Sequence, residues 1–134
     1  MGRARLILLV DDDADFRSTL RQVLEAEGCS VIEAANGRAA LDVLHTTKTT
    51  LDLILLDLMM PIMNGWDCYA EIQREPMLAA IPVAVLSGVG QMRPYGDMHE
   101  LHKPVDLPNL LGLLHAIDAP DRPSTAPRLG PQRR

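Results

Sequence analysis

Short aliphatic runs recur along the chain, and between them lie segments with helical periodicity. Leu6-Ile7-Leu8-Leu9-Val10 is apolar at every position, as expected of a strand covered on both faces. Phe16, Leu20, Val23 and Leu24 then fall on one helical face, and Gly28 stops the helix. Cys29–Ala34 predicts a second strand, and Asn36-Gly37 leads into a helix over Arg38–His45 with Ala40, Leu41 and Leu44 on its apolar side. Leu53–Leu56 is a third strand, ending at an aspartate. Asn64-Gly65 opens a helix through Arg74 that offers Cys68 and Ile72 to a core. Pro82–Leu86 is a fourth strand, with its proline at the first position, where a missing N–H does least harm. A short fifth strand is expected near Glu100–His102. A final helix follows, with Asp106 as its cap, Pro108 in its first turn and Leu107, Leu110, Leu111, Leu114 and Ile117 on its face.

Strand and helix alternating in this way predict an α/β domain, a doubly wound parallel sheet with helices on both faces, and right-handed crossovers leave few ways to wind it. The domain is expected over residues 1–117. Residues 118–134 carry four prolines and four arginines and little apolar content, and are expected to be a disordered Pro/Arg-rich tail.

Composition narrows the picture. Aromatics are 3 % of the residues, so the core must be aliphatic. The net charge is −5 even with the tail arginines counted, which argues against a surface that coats DNA or RNA. Cys29 and Cys68 lie in apolar stretches with no metal-ligand spacing, as expected of buried free thiols in a reducing compartment. The apolar run at Leu6 ends in three aspartates and is too short for a signal peptide core, and no stretch approaches the roughly 20 apolar residues of a membrane span. A cytoplasmic protein is expected.

In open parallel sheets the ligand site lies beyond the carboxyl ends of the strands. There the chain places Asp11-Asp12-Asp13 after the first strand, Asp57 after the third, Ser87 after the fourth and Lys103-Pro104 after the fifth. Crowded carboxylates repel by about 4 kcal/mol per pair at ~4 Å and an effective dielectric near 20. Either one takes a proton or a cation joins them. A small set of hard oxygens with open positions suits Mg²⁺, and an aspartate so held can accept a phosphoryl group. Asp13 is expected to cap the first helix instead. The methionines at 59, 60 and 63 are expected to pack, and the four histidines share no motif.

The sequence at this point resembles the receiver domains of two-component response regulators over about residues 5–117. The matching pieces are Leu9-Val10-Asp11-Asp12, Leu56-Asp57-Leu58-Met59-Met60-Pro61, Met63-Asn64-Gly65, Leu86-Ser87-Gly88 and Lys103-Pro104. The resemblance implies a flavodoxin-like five-stranded sheet of order 2-1-3-4-5. It implies Asp57 as phosphoacceptor, and Asp12, Asp57 and the backbone carbonyl of Met59 as Mg²⁺ ligands, with Asp11 acting largely through water. Ser87 and Lys103 would bind the phosphoryl group. A sensor histidine kinase or histidine phosphotransfer protein would be the donor. The domain would be a stand-alone switching module and not a metabolic enzyme, acting on an unknown protein target without direct DNA or membrane binding. Homodimerisation is left open.

Two features depart from the family pattern. The stretch from Ser87 to Lys103 is shorter than usual, and Gly88, Gly90, Pro94 and Gly96 favour irregular backbone, so the helix between the fourth and fifth strands should be short or irregular. Glu100 stands where receivers usually carry Tyr or Phe. Together these motivate an alternative, a receiver fold used as a phosphorylation-independent interaction module, and the expectation that signal leaves through a rearranged 88–98 segment or the last helix. Apolar Met59 and Val89 stand where some receivers have water-orienting groups, which predicts slow self-dephosphorylation.

Overall fold

The aliphatic runs pair edge to edge as β1 (Leu6–Val10), β2 (Ser30–Ala34), β3 (Leu53–Asp57), β4 (Val83–Ser87) and β5 (His99–His102), all parallel, in the order β2-β1-β3-β4-β5. The helices are α1 (Ala14–Ala26), α2 (Gly37–Thr46), α3 (Gly65–Arg74), a single turn α4 (Pro76–Ala79) and α5 (Leu107–Asp118). This computed structural model describes residues 4–88 and 99–118. The short or irregular helix expected within 89–98 and all of the expected tail beyond Asp118 lie outside the described residues.

Strand side chains alternate between two cores, which explains the unbroken apolar runs. Ile7, Leu9, Leu53, Leu55, Ala84, Leu86 and Leu101 meet α1 through Leu20 and Leu24, and α5 through Leu110, Leu113, Leu114 and Ile117. Leu8, Val10, Ile54, Leu56 and Val83 meet α2 through Ala40, Leu41 and Leu44, and α3 through Cys68 and Ile72. Burying each such aliphatic side chain contributes about 1.5–3 kcal/mol, so the central strands anchor the domain. Cys29 and Cys68 are free and buried, as predicted.

Short polar side chains start the helices. Asp13 accepts from the Asp15 and Phe16 amides, Asn36 from Ala39, Asn64 from Asp67, and Asp106 from Asn109. Asp13 is therefore a cap.

Several boundaries differ from the sequence expectation. β3 runs on to Asp57, so the expected acceptor is itself the last strand residue. β4 begins at Val83 and includes Ser87. On α5 the buried face takes in Leu113, while Leu107 in the first turn is exposed. The helix also runs one residue further, and Asp118 accepts from Arg5 Nε at 2.7 Å. The turn α4 was not expected. Its signal is Pro76 at the first helical position, where a missing N–H costs nothing.

Candidate functional site

Asp11 follows β1 directly and is fully buried, its amide donating to Ala34 O at 3.1 Å, which ties it to the end of β2. Asp57 ends β3, also buried, beside Leu86 of β4. Asp12 is exposed next to them. One carboxylate oxygen from each of Asp11, Asp12 and Asp57 lies within 4.8 Å of the others. The third side chain of the run turns away into the α1 cap, so only two of the three consecutive aspartates enter the cluster.

Lys103 reaches this cluster from the end of β5. Its Nζ stands 2.8 Å from Asp11 Oδ2 and 3.5 Å from Asp57 Oδ1, with the Phe16 ring centroid 4.6 Å away. Asp11 Oδ2 accepts no well-aligned hydrogen bond, so the ammonium meets it as an ion pair, and this buried oxygen keeps acceptor capacity. Burial draws the lysine pKa down, but its close pairing with Asp11 and the charge of Asp57 outweigh this and raise it. Asp57 behaves differently. Burial first, then the charge of Asp11, push its carboxyl up to about 6 from 3.8, against the opposing pull of Lys103 and the Met59 amide. One ammonium thus does not fully relieve the acids. Hard oxygens, a buried acceptor without an aligned donor and residual repulsion together fit a small divalent cation such as Mg²⁺.

The loop after β3 is pressed against the site. The Gly65 amide donates to Leu58 O at 2.9 Å, and the Met59 amide lies 3.4 Å from Asp57 Oδ1. The Met59 side chain is exposed, contrary to the packing role expected of it, whereas Met60 and Met63 pack against the core. Ile62 holds a φ of 68°, a costly conformation for a β-branched residue, and is exposed.

Ser87 is fully buried at the end of β4, but its hydroxyl is engaged away from the acids. It donates to Glu100 Oε2 at 2.9 Å and lies 3.2 Å from His102 Nδ1. Two further residues emerge only in three dimensions. Arg17 donates from Nη1 to Asp11 O at 2.7 Å and from Nε to Glu33 Oε1 at 2.8 Å, while Arg21 Nη1 donates to Glu33 Oε2 at 2.6 Å. These guanidiniums hold Glu33 below the ordinary carboxylate range. Arg17, four residues after the Asp13 cap, thus ties α1 and β2 to the backbone of the acidic site. Its spacing in the sequence is also that of an ordinary solvated helix residue, so nothing in the chain pattern marks it.

The family described as response regulator receiver domain matches residues 7–115. The transcriptional regulatory protein CpxR of Escherichia coli is 43% identical over 84 residues, covering 63% of this chain and 34% of that protein. The response regulator receiver protein Anae109_2439 of Anaeromyxobacter is 35% identical over 113 residues, covering 81% of this chain and 47% of that protein. The chain therefore spans about a third to a half of the length of these relatives. Among solved structures, a response regulator receiver protein from Pseudomonas putida superposes with a TM-score of 0.74 at 29% identity, over 86% of this chain and 98% of that one.

Proposed function

Because this chain belongs to the response regulator receiver domain family of two-component systems, we propose that Asp57 is its phosphoacceptor and that a sensor histidine kinase or histidine phosphotransfer protein is the donor. The flavodoxin-like sheet is that of the family. The observation that carries the reading is the buried Asp57 at the end of β3, in one cluster with Asp11 and Asp12, with Lys103 Nζ 3.5 Å away.

In the proposed reaction an Asp57 carboxylate oxygen attacks the phosphorus of a phosphohistidine. The new P–O bond forms as the P–N bond breaks, and the departing imidazole takes a proton. Such transfers need positioning and charge stabilisation more than covalent help. Asp57 is held by the end of β3 and the Met59 amide. Lys103 is a flexible point charge suited to one phosphoryl oxygen, and Ser87 supplies a hydrogen-bond donor to another. Asp11, Asp12, Asp57 and the Met59 carbonyl would hold Mg²⁺, which when bound offsets negative charge on the carboxylates and the phosphoryl oxygens.

Receiver domains are signalling modules, and we propose that this one acts in the cytoplasm and signals by protein contact. Among the described residues no helix is long and apolar enough to cross a membrane. The exposed, apolar Met59 offers no group to orient an attacking water, which supports slow self-dephosphorylation, measurable by timed phosphate release.

Incubation with acetyl phosphate and Mg²⁺, followed by intact-mass measurement, tests the reading. One phosphoryl group should be gained, and Asp57→Ala should gain none. The competing reading, a phosphorylation-independent interaction module, is favoured by the engagement of Ser87 with Glu100, and it expects no gain on the intact chain.

A further inference from the structure

β4 and β5 pair so that Ser87 stands opposite His102. Side chains alternate along a strand, so Glu100 and His102 share a face of β5, and both reach the Ser87 hydroxyl. A serine hydroxyl has a single proton to give. At 2.9 Å the carboxylate of Glu100 is the stronger acceptor, and the 3.2 Å contact to His102 is then satisfied when Nδ1 carries the ring proton and donates to Oγ. The burial of the groups is unequal. Ser87 is fully buried and the Glu100 side chain is 8% exposed, whereas that of His102 is 72% exposed. Water competes poorly for the serine–glutamate bond and freely for the histidine, so Glu100 is the partner that fixes the hydroxyl.

We infer that Glu100 is a positioning residue that holds the Ser87 hydroxyl in the unphosphorylated domain, so that a phosphoryl group on Asp57 gains this donor only by taking it from Glu100. The inference rests on the reading of Ser87 as a phosphoryl-binding group. Two anions then compete for one proton, and the interaction present only in the resting state weakens affinity for the phosphorylated one. An apolar side chain at position 100 exerts no such hold. The same competition links the acceptor to β5: when the hydroxyl leaves, the Glu100 carboxylate of β5 loses one of its donors.

The test uses beryllofluoride with saturating Mg²⁺ as the phosphoryl mimic, titrated into the full chain and into E100A, E100Q, S87A and the E100A/S87A double variant. E100A should bind the mimic roughly ten- to a hundredfold more tightly, the ratio expected from losing one charge-assisted hydrogen bond in the resting state. E100Q keeps the side-chain shape and a neutral acceptor oxygen, guards against misfolding of the alanine variant, and should fall between. Removing a negative charge near the site would itself favour an anionic ligand, but that effect persists without Ser87. The gain from E100A should therefore shrink strongly in the S87A background. Affinity that ignores position 100, or a gain equal with and without Ser87, would overturn the inference alone. Failure of every variant, wild type included, to bind the mimic would overturn the acceptor reading and this inference with it.

Discussion

The backbone of Gly65 passes so close to Asp57 that a Cβ at position 65 would stand 2.2 Å from the Asp57 carbonyl oxygen and 2.7 Å from the Leu58 Cα. Both atoms belong to the backbone leading out of β3, so neither can swing aside. Gly65→Ala is expected to destabilise the domain by about 3 kcal/mol, the scale of overpacking in a rigid site. It should also displace Asp57, the proposed acceptor. Urea denaturation and acetyl phosphate labelling on the same preparation check both effects; an unchanged unfolding midpoint would contradict the close approach.

The raised pKa of Asp57 makes stability depend on pH in a defined sense. With the folded value at about 6 and the ordinary value at 3.8, the folded chain holds this proton more tightly than the unfolded chain. The contribution to stability is complete below about pH 4 and is lost as pH rises through about 6. Asp57→Asn removes the penalty. Without divalent ions, the variant should be more stable than the parent by roughly 2 kcal/mol at pH 7.5, with the difference closing toward pH 4. Denaturant melts at the two pH values measure it, and a gap of equal size at both would rule out Asp57 as its source.

Divalent ions should act through the same three carboxylates. At about ten times its dissociation constant, Mg²⁺ should stabilise the folded chain by about 1.4 kcal/mol. Asp11→Asn and Asp57→Asn should each remove most of that gain. Thermal melts with and without Mg²⁺ at neutral pH show the effect, and a gain that survives both substitutions would place the ion elsewhere.

Arg17 provides a test through the backbone of Asp11. Its guanidinium grips both the Asp11 carbonyl and Glu33, so Arg17→Ala should cost about 1 kcal/mol of stability and weaken Mg²⁺ binding. Arg17→Lys keeps the charge but cannot make both contacts in fixed geometry, and should remain impaired. Mg²⁺ titration by calorimetry separates the two effects, since a purely surface ion pair would leave metal affinity untouched.

Periodicity disclosed the layers because each strand is buried on both faces, which leaves runs such as Leu6–Val10 without polar interruption. The acids were legible for the same reason: a carboxylate immediately after such a run has to sit at the sheet edge. The fate of the Ser87 hydroxyl was not legible. It depends on the register of β4 against β5, which a four-residue strand of mixed polarity does not encode on its own. The exposure of Leu107 is not legible because it shares a helical face with Leu110, Leu111 and Leu114 and differs from them only in standing at the first residue of α5, while Leu113 takes a core position. Arg17 escaped notice because its partners are a main-chain carbonyl and a residue of β2, and neither leaves a trace in spacing along α1.

Lys103 already rests against the innermost oxygen of Asp11, so the acidic recess has a positive lodger built into the chain. Loading a divalent cation there would be an exchange of counterions and not the filling of a bare anionic hole. Its affinity would report the difference between two cations competing for overlapping oxygens. A lysine freed by that exchange would be left half-buried and in want of an anion, at the place where an incoming phosphoryl oxygen would meet it.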